Sequence, residues 1–189
     1  MKSIKALLFV AAVILVISSK VYSQNTFQSP SEGKTVIYFM RTTSLGAVMN
    51  FRFFDGEKYL GKFKDKNYLR YECNPGKHLF WVKAENIDYL ESDLLADKIY
   101  VVESNAVMGA FSSGVKFNIL DFNDQKKMKR VFKLLNKKNP LVFDEEDLLE
   151  EQNEMQDIIK SGLEKYENKQ DRDKDFKEIT REMFYTIPE

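Results

Sequence analysis

Cysteine, histidine and tryptophan each occur once in 189 residues, and proline only four times. A lone cysteine, Cys73, cannot close an intramolecular disulfide, so burial of apolar side chains must hold the fold whatever the redox compartment. One histidine, His78, and one cysteine leave only carboxylates to complete a tetrahedral zinc shell, and no close ligand spacing is present. No metal or cofactor is therefore expected. The acids between Asp144 and Asp157 lack the glycine and alternating oxygen ligands of a calcium loop. Gly109 to Gly114 has the glycine spacing of a phosphate loop, but Val115 and Lys116 stand where lysine and serine or threonine are required. A tight loop or bulge beside a packed strand accounts for those small residues.

A strong basic excess is missing as well. The 29 lysines and arginines are matched by 29 aspartates and glutamates, which argues against nucleic acid as a partner, because such domains neutralise phosphates with surplus cations. Long apolar runs are also scarce. The run Ala6 to Ile17 would reach roughly 18 Å as a helix at about 1.5 Å per residue, short of a bilayer core. Preceded by Lys2 and Lys5 and followed by Ser18-Ser19-Lys20 and the small-residue site Val21-Tyr22-Ser23, it reads as a secretory signal peptide over residues 1–23. Cleavage there removes Lys2, Lys5 and Lys20 and leaves a slightly acidic chain. No cysteine follows the run, so attachment of a lipid at a processed cysteine is not expected. The expected location is periplasmic or secreted, with no stable membrane anchor after cleavage.

What the sequence does contain is a succession of short strands. Residues 24–33 form a polar lead-in loop punctuated by Pro30 and Gly33. Thr35 to Arg41 is apolar on both faces, Val36, Tyr38 and Met40 opposing Ile37 and Phe39, as an inner strand requires. Val48 to Phe54 points Met49, Phe51 and Phe53 inward, and Asp55-Gly56 turns it into Lys58 to Phe63. Asn74-Pro75-Gly76-Lys77 has the residues of a type II turn, and it predicts a central hairpin joining Tyr68–Cys73 to the strand after it. Leu69, Tyr71 and Cys73 would share one apolar face with His78, Phe80, Val82 and Ala84. Tyr68, Arg70, Glu72, Leu79, Trp81 and Lys83 form a mixed face suited to partial exposure. Ile87 to Leu94, Ile99 to Glu103 and Val115 to Leu120 complete about eight strands. The fold class expected is mainly β, an antiparallel sandwich over residues 34–121.

After Asp121 the period changes from two to 3.6. Met128, Val131, Phe132 and Leu135 lie at helical spacing among Lys126, Lys127, Lys129, Arg130, Lys133, Lys137 and Lys138, and Asn139-Pro140 stops the helix. Asp144 to Asp147 begin an acidic helix that carries a thin stripe of Leu148, Met155, Ile159, Leu163 and Tyr166, weakened at Gly162. Folded antiparallel, the basic and acidic helices would pair their charges. Glu164 to Lys174 reads as a mobile linker, and Phe176, Ile179 and Met183 as a short last helix. Residues 122–189 are thus expected as a charged extension of two or three helices.

Three features in order carry a family resemblance. They are the strand leading to Arg41-Thr42-Thr43-Ser44, the Gly56 to Gly61 hairpin feeding Tyr68 to Glu72, and Pro75-Gly76-Lys77-His78 followed by an aromatic strand. With the glycine-bearing loop from Met108 to Gly114, they make residues 34–121 resemble the bacterial domain of unknown function 2846, and the hairpin is similar to the envelope repeat named for a Pro-Glu-Gly-Ala turn. The resemblance implies an envelope β-sandwich without known catalysis. Many such relatives look like lipoproteins, which this chain does not, and the helical tail lies outside the shared domain.

Cys73 and His78 are the single nucleophile–base candidate, since a turn closing on Pro75-Gly76 would set them opposite each other. Catalysis would also need an orienting carboxylate or amide, oxyanion donors and an open cleft, none of which the sequence supplies. No catalytic, cofactor-binding or metal-binding residue is assigned. The expected function is a non-catalytic extracytoplasmic module with a binding or structural role in the bacterial cell envelope, its partner an envelope protein or a small ligand. A cryptic envelope enzyme using Cys73 and His78, and an oligomer or complex subunit assembled through a removable helical tail, are the alternatives.

Overall fold

The computed structural model describes residues 26–109, 113–170 and 176–187. The signal segment expected at residues 1–23 lies outside them, as do residues 110–112 of the glycine loop. Strand β1 (Thr35–Arg41) is buried at all seven positions. It is followed by β2 (Phe51–Asp55), β3 (Lys58–Phe63), β4 (Asn67–Cys73), β5 (Gly76–Lys83), β6 (Ile87–Leu94), β7 (Ile99–Met108) and β8 (Ser113–Ile119). Helices α1 (Gln125–Leu135), α2 (Glu145–Glu154) and α3 (Gln156–Gln170) come next, and a short β9 (Lys177–Ile179) closes the order. The fold is mainly β with helices after the eighth strand. Sheet A has the order β4-β1-β7-β8 and sheet B the order β3-β2-β5-β6-β9, with β1–β7 and β6–β9 parallel and the other pairs antiparallel.

The central core lies between the sheets. Ile37, Phe39, Phe51, Phe53, Phe80, Val82, Tyr100, Val102 and Phe117 meet there, every one buried. Alternation sends the other side chains of the same strands outward, yet they are not solvated. Val36, Tyr38, Met40, Tyr68 and Val101 are covered by Val131, Leu134 and Leu135 of α1. Phe54, Tyr59, Trp81 and Tyr89 are covered by α2 and α3 through Leu148, Met155, Ile159, Leu163 and Tyr166. The layers therefore run helix, sheet, sheet, helix.

Three sequence expectations are corrected here. Asn74-Pro75-Gly76 does not close a hairpin: β4 pairs with β1 in sheet A, while β5 pairs with β2 and β6 in sheet B. The segment is a corner between the sheets, with Gly76 at φ +112°, a conformation a side chain would resist. The true hairpin partner of β5 is the acidic β6, in register from Gly76↔Leu94 to Lys83↔Ile87. The mixed set is not one face, since β4 and β5 lie in different sheets; Arg70, Glu72, Leu79 and Lys83 are half-buried as expected, but Trp81 is 0% exposed and Tyr68 3%. Nor do the basic and acidic helices pair, because they lie on opposite faces of the sandwich.

The end of the chain also differs from expectation. Residues 164–170 continue α3, and the segment expected as a last helix contains β9. Ile179 enters the central core, and Tyr185 donates its amide to the Ile99 carbonyl at 2.7 Å. This segment spans from sheet B to sheet A. The polar lead-in is anchored by Phe27, packed edge-on to Tyr38 and against Tyr185.

Gly162 is a contact. A Cβ there would meet the Trp81 ring at 2.8 and 3.0 Å, and the ring cannot retreat because it stacks on Phe54 at 3.7 Å. The Gly162 carbonyl accepts from the Tyr89 hydroxyl at 2.6 Å. Alanine improves helix propensity by about 1 kcal/mol, whereas overpacking costs roughly 1–3 kcal/mol. Gly162→Ala is therefore expected to lower stability in denaturant titration; a more stable variant would contradict this packing.

Candidate functional site

Two places on the molecule concentrate chemistry. The first is the corner that carries Cys73 and His78. β4 ends at Cys73 in one sheet and β5 begins at Gly76 in the other, so the two residues are neighbours across a corner rather than cross-strand partners. Asp55, the last residue of β2, reaches the same place. Its Oδ2 lies 2.8 Å from His78 Nδ1 and accepts from the Tyr71 hydroxyl at 3.2 Å. His78 Nε2 lies 2.9 Å from the Asn74 carbonyl oxygen.

A carboxylate and a peptide carbonyl are both acceptors, so the ring satisfies both only with a proton on each nitrogen. His78 is then an imidazolium. The Asp55 hydrogen bond, with a lesser contribution from Cys73, outweighs burial and pushes its pKa up to about 10. The ring also stacks on Phe80, with an interplanar angle of 2°. Desolvation and the nearby Asp55 charge push the Tyr71 hydroxyl well above its ordinary range. The orienting carboxylate that sequence reasoning found missing is thus present, but both ring nitrogens are committed elsewhere. Cys73 is buried at 8% exposure. The arrangement ties the β2–β3 turn to the corner between the sheets.

The second place is a cleft of about 420 Å³ at the opposite end of β4, lined by Thr42, Asp65, Lys66, Arg130, Lys133, Leu134, Lys137 and Lys138. The basic face of α1 forms one wall and the β3–β4 turn the other. Lys138 donates to the Asn67 side chain at 3.0 Å, and Tyr68 donates to the Lys138 carbonyl at 2.9 Å, which fixes the helix end on the sheet. Asp65 takes a positive φ of 54° and accepts from Ser44 at 3.0 Å. Backbone and Ser44 hydrogen bonds hold its carboxyl below the usual range. None of the five basic side chains makes an ion pair among the described residues.

Beside the cleft the β1–β2 loop is built on Arg41. Its guanidinium is fully buried, donates to the carbonyls of Leu45, Gly46 and Met49, and lies 4.0 Å over the Phe51 ring. Burial lowers its pKa. In the sequence Arg41 stands only as a strand end; an arginine closing an otherwise apolar run is the mark that points to it. Lys66 lies in the β3–β4 turn, and only the fold brings it to face the helix.

The remaining candidates separate. Gly114 packs on Asn86, which brackets Val115 through its carbonyl and amide, as a structural pin does. Glu151 of the acidic helix accepts from Tyr59 at 2.7 Å and Lys62 at 2.8 Å, so its charge serves the edge strand β3. Among the described residues no three His, Cys, Asp or Glu side chains cluster as a metal site would need, and no helix is long and apolar enough to cross a membrane. The chain matches no protein-family model, no curated protein and no solved structure.

The corner makes stability depend on pH. A histidine whose folded pKa exceeds its unfolded value of about 6.5 stabilises fully below that value, and the stabilisation is lost as pH rises toward about 10. The stability gap between wild type and His78→Gln is expected to be roughly 2–4 kcal/mol at pH 6 and to shrink steadily to pH 10. Denaturant titration of both proteins across that range checks it; a gap independent of pH would mean the ring is not charged.

Proposed function

We propose that the chain is an exported, non-catalytic binding module of a bacterial cell envelope. The observation that carries this reading is the state of the one nucleophile–base pair. Both nitrogens of His78 face acceptors, Asp55 and the Asn74 carbonyl, so each carries a proton and the ring has no free lone pair to take one from Cys73. General-base activation of a thiol needs a ring nitrogen aimed at the sulfur. The thiol is buried, as an inert packed cysteine is.

Export is supported by the basic start, short apolar run and small-residue site at residues 1–23. A binding role is supported by the cleft, where five basic side chains face the single carboxylate of Asp65, beside a loop braced by a buried arginine, since a rigid scaffold presenting a fixed loop suits recognition. Assembly through the tail is the weaker reading. The apolar stripes that would serve it are spent on the chain's own sheets.

Two measurements test the proposal together. Cys73 is expected to resist alkylation in the native protein and to react fully once denaturant is added. Export in a bacterial host is expected to yield a chain that starts near Gln24. A native thiol that reacts as fast as a free cysteine, together with turnover that disappears in Cys73→Ala, would overturn the non-catalytic reading.

A further inference from the structure

The end of the sandwich where β1 exits carries two features that neither the fold nor the corner uses. One is the basic cleft. The other is a set of exposed apolar side chains: Leu45 and Val48 in the β1–β2 loop, and Val107 and Met108 at the end of β7, with Val48 88% and Met108 64% exposed. β7 runs parallel to β1, whose last paired residues are Met40 and Glu103. Its remaining five residues overhang by roughly 16 Å at about 3.3 Å each. The loop leans on that overhang, since a Cβ on Gly46 would lie 3.0 Å from Ala106 Cβ. On its other side Ser44 is bonded to Asp65, a wall of the cleft. Apolar tips and basic cleft are therefore one continuous surface, held in place by Arg41.

Cations beside protruding apolar residues match one kind of occupant better than others. A free anion would use the cleft and leave the tips in water. A bilayer bearing anionic headgroups uses both, the cations meeting headgroup phosphates and the apolar tips entering the interface. We infer that this end of the molecule, Leu45, Val48, Val107 and Met108 with Lys66, Arg130, Lys133 and Lys137, docks peripherally on an anionic membrane surface. The charge balance favours it. Asp65 is the one carboxylate lining the cleft and keeps its charge, so five cations face one anion there; Glu85, near the hairpin tip, accepts from the Ser113 amide and hydroxyl. The C-terminal end of α1 contributes roughly half a negative charge, which offsets only a fraction of the five cations.

This inference names the ligand surface of the module proposed above and rests on that reading, so the experiment separates the two. The protein is recovered from its export compartment and its N-terminus read by mass spectrometry; an unprocessed chain speaks against export. Vesicle co-sedimentation is then run on the chain as recovered, using phosphatidylglycerol–phosphatidylcholine and pure phosphatidylcholine vesicles. Every variant shares the same N-terminus, so the readout is the difference among them. Lys133→Ala with Lys137→Ala is expected to weaken binding to anionic vesicles about 30-fold, and added salt to weaken it further. Val48→Asp with Met108→Asp, at exposed positions that leave unfolding unchanged, is expected to weaken it several-fold. Equal binding to both vesicle types, or no binding to either, overturns the inference. So does binding that follows the lysines but ignores Val48→Asp and Met108→Asp, which marks a plain anion site, or a self-associated species that those two substitutions dissolve.

Discussion

Both sheets of this protein are apolar on both faces, and that constraint organises everything else. A sandwich usually buries one face of each sheet and leaves the other to water. Here Tyr38, Met40 and Tyr68 on one outer face, and Phe54, Tyr59, Trp81 and Tyr89 on the other, are at most 3% exposed. Fully exposing a large apolar side chain costs about 1.5–3 kcal/mol. Uncovering four of them would cost roughly 6–12 kcal/mol, as much as the whole stability of a typical domain. The helices after Asp121 are consequently part of the fold.

The same constraint explains where the charges go. A helix that lays an apolar stripe on a sheet must turn its polar face outward. One helix carries its lysines on the outside of sheet A, the others their acids on the outside of sheet B. The two charge sets never meet; instead Glu151 pairs with Lys62 at the edge of sheet B, and the cleft cations outnumber the one carboxylate beside them. Charge segregation in the sequence thus becomes polarity of the molecule.

Strand positions and facing were legible in the sequence, because period-two alternation reports them directly. Ile37 and Phe39 do oppose Val36, Tyr38 and Met40, and Leu69, Cys73, Phe80 and Val82 do share the central core. Pairing was not legible. Those residues point into the inter-sheet core whether the chain folds back at Pro75 as a hairpin or crosses to the other sheet, so alternation cannot separate the two. The stripe Leu148, Met155, Ile159, Leu163 and Tyr166 was legible as a face, but not that Trp81 lay beneath it. Gly162 looked like a weak point because propensity is local, while its contact is with a residue 81 positions earlier. The Cys73–His78 neighbourhood was found; the Asp55 that fixes its chemistry was not, since it reads as a turn residue. The apolar-basic end was hidden for the same reason, being assembled from a loop, a strand overhang, a turn and a helix.

The claim that the helices belong to the fold is tested most directly by comparing the chain ending at Asp121 with the full chain in denaturant titration monitored by Trp81 fluorescence. The account predicts that the full chain unfolds in one cooperative transition. The shortened chain should show no such transition, with its tryptophan already solvent-exposed in buffer. A shortened chain that unfolds cooperatively at the same denaturant concentration, with a buried tryptophan, would contradict the account and make the sandwich an independent domain.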